Sequence, residues 1–173
     1  MQIESGFHLV IAVDDIPISG LDIEPNVSED IIASLCERFL VDGLQNIFIK
    51  AHAARFDKDG FFLRGLMRAD VLQTCVVSLE PVWSHVEANF DVEFQPEAHV
   101  AALDVDPEDF ETEVPEPIGS EGADIGDVIG QIFALEIPLY PKHPDAELDP
   151  QFSSEMAENR ASPFAVLRNL EKK

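Results

Sequence analysis

Phe61-Phe62-Leu63-Arg64-Gly65-Leu66-Met67-Arg68-Ala69-Asp70-Val71 is the stretch on which the fold turns. Its odd positions are apolar or small, and Arg64, Arg68 and Asp70 stand between them, which is the period of two of a half-buried strand. The same face continues upstream in Ile47, Ile49, Ala51 and Ala53, across Phe56-Asp57-Lys58-Asp59-Gly60, whose Asp and Gly residues suit a hairpin turn. After Pro81 the apolar positions become even: Val82, Val86, Ala88, Phe90, Val92 and Phe94. A hairpin pairing Cys75 with Val82 explains the switch, because it sets Val71 opposite Val86, Ala69 opposite Ala88 and Met67 opposite Phe90. A slip of one residue would turn one strand's apolar face to water.

The expected fold is therefore α+β: an antiparallel β-meander of three or more strands, covered on one face by helices. Ser28-Glu29-Asp30 supplies an N-cap and an acidic first turn, after which Ile31, Ile32, Leu35 and Phe39 recur at helical spacing until Gly43. That helix is the natural cover. Phe7 to Val13 reads as a first strand and Ile18 to Ile23 as a second, completing an α+β core over residues 1–100. Residues 101–123 read as a flexible acidic connection, with Asp104, Asp106, Glu108, Asp109, Glu111 and Glu113 interspersed with prolines. Within residues 124–141, Asp124 caps a helix whose stripe of Ile125, Val128, Ile129, Ile132 and Phe133 should dock on the core, ended by Pro138 and Pro141. Residues 142–173 read as a tail with a short terminal helix.

At 173 residues, 46% of them hydrophobic, the chain is long enough to bury a core. Eleven basic against 34 acidic residues give a net charge of −23. Such a charge repels phosphate backbones, so direct nucleic-acid binding is less favoured than a basic protein partner. The acid excess is also readable as a solubility or high-salt adaptation, which does not exclude a partner. Cys36 and Cys75 are the only cysteines and no secretion signal opens the chain, which points to a reduced, cytoplasmic setting. No apolar run approaches the ~20 residues needed to span a bilayer.

Catalytic and metal motifs are missing from the sequence. Cys75 and Cys36 with His8, His52, His85, His99 and His143 make no recognisable ligand set, so no metal or cofactor is expected, and Cys75 reads as a small buried hydrophobe facing the core. Asp57-Lys58-Asp59-Gly60 begins like a calcium loop, but Arg55 and Leu66 stand where ligands are required. Asp104 and Asp106 lie in a proline-rich stretch that offers no desolvation, and no nucleophile elbow or phosphate-binding glycine loop occurs. One surface feature is distinctive. Trp83 and His85 fall on the outer face near Arg64 and Arg68 of the neighbouring strand, an aromatic and cationic spot of the kind found at binding sites; Trp83 is equally placed to be covered by the tail or the second helix.

Gln73-Thr74-Cys75-Val76-Val77-Ser78-Leu79-Glu80-Pro81-Val82 resembles the turn Cys-x-x-Cys-Leu-x-Pro of the YceD-like bacterial family, named for accumulation of large-subunit ribosomal RNA, with Ser78 at the second cysteine position. The likeness extends across Leu35 to Val100, with Gly65 and Ala69 before the turn. It resumes at Asp124-Ile125-Gly126-Asp127-Val128-Ile129, at Leu139-Tyr140-Pro141, and at Ser162-Pro163-Phe164-Ala165-Val166-Leu167-Arg168-Asn169-Leu170. The resemblance implies a role in 23S rRNA accumulation and ribosome biogenesis, no assignable enzymatic activity, and motif positions at Cys75, Leu79, Glu80, Pro81, Phe164 and Leu167. Ser78 argues against a metal or redox role for the turn. The expectation is a non-enzymatic factor acting through a basic ribosomal or RNA-processing protein drawn to the acidic segment from Asp104 to Asp124. The alternative is a small RNA-binding domain touching rRNA through Arg64, Arg68, Trp83 and His85.

Overall fold

The alternation from Gly43 to Pro96 folds as three long antiparallel strands in a computed structural model that describes residues 7–56, 58–103 and 114–147. In chain order the elements are β1 (Val10–Ile11), β2 (Leu21–Ile23), α1 (Glu29–Phe39), β3 (Gly43–Phe56), β4 (Gly60–Thr74), β5 (Pro81–Pro96), α2 (Glu97–Val100), β6 (Glu116–Ile118), β7 (Ala123–Asp124) and α3 (Ile125–Glu136). The main sheet has the order β2-β3-β4-β5-β6, antiparallel except where β6 runs parallel to β5; β1 and β7 form a separate two-stranded ribbon. This is the α+β meander expected from the alternation.

One face of the sheet carries the core. Ile49, Ala51 and Ala53 of β3, Phe61, Leu63, Met67, Ala69 and Val71 of β4, and Val86, Ala88, Phe90 and Phe94 of β5 are buried together with Leu35 of α1 and Ile125, Ile129 and Phe133 of α3. Phe61 and Phe94 stack across the ladder at 4.7 Å, and Phe39 meets Phe133 at 5.8 Å, joining the two helices. Each such fully buried large side chain contributes about 1.5–3 kcal/mol relative to exposure. Asp124 caps α3 by accepting from the Asp127 N–H at 3.2 Å, and its further contacts, from the Leu9 N–H at 3.1 Å and with His8 Nδ1, tie the amino-terminal segment to the helix start.

Three details depart from the sequence reading. The β4–β5 register pairs Gln73 with Val82, Ala69 with Val86 and Met67 with Ala88, two residues away from the pairing of Cys75 with Val82. Parity survives a two-residue shift, so the same residues stay buried; what moved is the turn, which keeps Cys75 to Glu80 out of the ladder. Helix α1 stops at Phe39 instead of continuing to Gly43, because Leu40 adopts a left-handed conformation (φ 55°) and the Val41 N–H reaches back to the Cys36 carbonyl at 3.1 Å. Of the stretch Phe7 to Val13, only Val10 and Ile11 pair, with β7 as their partner and not the main sheet.

Residues 116–118, within the stretch read as an acidic connection, form β6 against Phe94 to Pro96. Asp104, Asp106, Glu108, Asp109, Glu111 and Glu113 lie outside the described residues, as do Asp57, Phe164 and Leu167.

Gly65 sits where β3 and β5 crowd β4. A Cβ there would meet the Lys50 carbonyl oxygen at 2.2 Å, Ala51 Cα at 2.8 Å and Phe90 Cζ at 2.8 Å, whereas at Gly119 the nearest atom would be 3.6 Å away. Gly65→Ala should lower unfolding free energy by about 1–3 kcal/mol in urea titrations, the usual cost of overpacking. Gly119→Ala should be near neutral; equal effects would contradict the packing described.

Candidate functional site

The turn between β4 and β5 is built around a sulfur atom. The Cys75 N–H donates to the Glu80 carbonyl at 2.8 Å and the Leu79 N–H to the Cys75 carbonyl at 3.0 Å, closing the loop on itself. Cys75 Sγ accepts from the backbone N–H groups of Val77 and Ser78, each at 3.4 Å, and of His143 at 3.3 Å, 68 residues away in sequence. The chain after α3 is laid against the turn by further bonds: Val76 N–H to the Pro141 carbonyl at 2.9 Å and Gln73 Nε2 to the Pro138 carbonyl at 3.0 Å. Cys75 is fully buried, but with Val82, Ala146 and Val77 in a small cluster of its own and not in the main core. It is therefore an acceptor hub as well as a buried hydrophobe.

Those donors set its chemistry. The His143 N–H, followed by the Ser78 hydroxyl and amide, stabilises the thiolate and holds the Cys75 pKa down to about 6, outweighing the opposing effect of burial. Cys36, on α1, is pushed the other way by burial.

Val77 packs inward beside Cys75, while other apolar side chains of the turn point outward. Leu79 is 75% exposed and Val76 51%, and on the strapped segment Leu139 is 87% and Tyr140 80% exposed. Leu79 also has φ 60°, a left-handed conformation that costs a branched residue about 1–2 kcal/mol, and its exposure recovers none of that through burial. Trp83, 48% exposed, follows at the start of β5 opposite Leu72. Together these side chains give one end of the molecule an apolar surface.

The sheet's outer face tells a different story. Trp83 lies opposite Leu72, His85 opposite Asp70, Arg68 opposite Glu87 and Arg64 opposite Asp91. The four residues singled out as an aromatic and cationic spot are thus strung along the face, each beside its own cross-strand partner. Arg64 is paired with Asp91 at 2.9 Å, His85 bonds Asp70 at 2.8 Å, and Lys50 reaches Glu24 at 3.3 Å. The Asn46 amide, then His85, hold the Asp70 carboxyl below the usual carboxylate range. Arg68 has no ion pair among the described residues and lies over the exposed Phe48 ring at 4.8 Å.

Among the described residues no three His, Cys, Asp or Glu side chains converge as metal ligands. The His143 N–H bond to Cys75 had no signal in the sequence, since it joins segments brought together only by the docking of α3. The two bonds from Val77 and Ser78 had one: they are what a sulfur at the first position of a Cys-x-x-Ser turn is placed to accept.

Two thiol titrations should separate in an ultraviolet pH titration of the folded protein. The lower, near pH 6, should vanish in Cys75→Ser, and the upper should vanish in Cys36→Ser. The sign for stability follows from the depressed folded pKa: between about 6 and the unfolded value of 9.0 the folded state holds fewer protons, so stability rises with pH through that window and falls as pH drops through 6. A flat profile, or no difference in Cys75→Ser, would contradict the donor geometry.

A family model described as large ribosomal RNA subunit accumulation protein YceD matches residues 63–171, which takes in most of β4, the Cys75 turn, β5, α3 and the strapped segment. Searches of the curated proteins and of the solved structures returned no match. The match covers more than half of the chain and includes the turn with its exposed Leu79, so this chain belongs to the YceD family of large ribosomal RNA subunit accumulation proteins.

Proposed function

We propose that this chain promotes accumulation of large-subunit rRNA as a non-enzymatic docking factor, and that it does so by binding a basic protein that assembles on or processes that RNA. The observation that carries the reading is Leu79, held exposed in a left-handed conformation by a turn that closes on itself through the backbone bonds of Cys75. Strain kept in an exposed apolar side chain is better explained by a partner that covers it than by folding. Val76, Leu139 and Tyr140 extend the same surface, and aromatic anchors of this kind dominate protein interfaces. The net charge of −23 supplies the selection for a basic partner and accelerates encounter.

Direct contact with rRNA is the second reading, favoured by one observation, Arg68 over exposed Phe48 and without an ion pair among the described residues. Against it, Arg64 and Lys50 are each matched by a carboxylate that a phosphate would have to displace. The rest of the face carries Asp70, Glu87 and Glu93. Arg68→Glu with Trp83→Ala should leave retention of rRNA fragments on filters unchanged; a loss of binding would favour the second reading.

In cells lacking the gene, re-expression of the unaltered chain should restore the ratio of large-subunit to small-subunit rRNA. Leu79→Asp combined with Tyr140→Asp should fail to restore it while keeping the Tm, since both side chains are exposed. Full restoration by that variant would overturn the docking reading.

A further inference from the structure

Among the described residues, the outer edge of β5 is open along most of its length. β5 pairs with β4 from Pro81 to Phe94, but on its other side it meets β6 only at Phe94, Gln95 and Pro96. Among the described residues, nothing else hydrogen-bonds the backbone of Val82 to Glu93 on that side. Twelve extended residues present an edge about 40 Å long.

Natural edges of this length are usually blunted by bulges, prolines or lysines. Here the β4–β5 register runs without a break, and Val82 to Glu93 contains neither proline nor lysine. The opposite side of the sheet differs, since β3 is irregular at Asn46 and carries β2 over Ala51 to Ala53. What the β5 edge has instead is charge. Glu87, Asp91 and Glu93 lie on its outer face, and the notch where β6 departs, about 250 Å³ in volume, is lined by Asp91, Glu93 and Glu116 with Val92, Val114 and Pro115. Acids so placed repel a second copy of this chain, itself at −23, yet they suit a strand of opposite sign.

We infer that the β5 edge from Val82 to Glu93 is a strand-addition site for an extended basic segment of a protein partner. This rests on the proposed basic partner and specifies how its backbone is held. The added strand would carry Lys or Arg at the alternate positions flanking Glu87 and Asp91, and apolar residues at those beside Val86, Ala88 and Phe90. The edge begins at Val82, directly after the Cys75 turn, so a strand on β5 would run into the apolar surface formed by Leu79, Trp83 and Tyr140.

The test uses the full chain and a synthetic peptide of about twelve residues alternating Lys and Val, matched to the edge length. Amide exchange should slow at the outward-facing N–H groups of Val82 to Glu93 when the peptide is added. N-methylation of alternate peptide amides, which removes donors and leaves every charge in place, should weaken binding about ten-fold or more. Equal affinity of the methylated peptide would mean attraction by charge alone and would overturn the inference, as would edge amides already protected in the free chain, or no binding at all. If the peptide fails while Leu79→Asp with Tyr140→Asp still abolishes rRNA restoration, the edge is wrong and the docking function stands. If the peptide binds as described while that variant restores rRNA, the reverse holds.

Discussion

Fourteen consecutive residue pairs between β4 and β5, from Phe61 with Phe94 to Thr74 with Pro81, are the constraint on which the rest of the molecule depends. That ladder brings Phe61 and Phe94 into a stack, aligns Met67, Ala69, Val86 and Ala88 under the two helices, and delivers the chain to a six-residue turn at one end of the sheet. The alternation of the two strands restricts the register to steps of two, since any odd step inverts a face. The choice among the permitted steps falls to the turn, whose Cys75 to Glu80 hydrogen bond closes the loop just beyond Thr74.

Cys75 then serves a second purpose that its burial alone would hide. Three backbone N–H groups converge on its sulfur, two from within the turn and one from His143, so the sulfur joins the Val76 and Gln73 bonds in linking the hairpin to the segment following α3. With that link in place the turn is satisfied from inside, and Val76, Leu79, Leu139 and Tyr140 are free to face outward. A serine at the position of the family's second cysteine fits this arrangement, because Ser78 contributes donors to the sulfur where a second thiolate would compete for them.

How much of this could be read from the residues follows from how local each cause is. The parity of Ile49 to Val71 and of Val82 to Phe94 reports burial directly, so the meander and its buried face were legible, as was α3 from the Asp124 cap and the Ile125 to Phe133 stripe. The two-residue register error was built into the same signal, which is blind to even shifts. β6 escaped notice because three residues flanked by prolines and acids carry no period. The left-handed Leu40 and Leu79 had no residue-level cue, since such positions ordinarily call for Gly or Asn. The pairing of Arg64 with Asp91 and of His85 with Asp70 was not legible for a different reason: these residues become cross-strand neighbours only once the register is known.

The charge of −23, the strained exposed Leu79 and a β5 edge left unpaired among the described residues all bear on one account, in which a basic protein, and not RNA, is the immediate contact. Photo-crosslinking in cells addresses this most directly, with a photoreactive amino acid placed at Leu79 in one strain and at Phe48 in another. The account predicts crosslinks from position 79 to a basic protein and none to rRNA from position 48. Crosslinks to rRNA from position 48, with no protein captured at position 79, would contradict it.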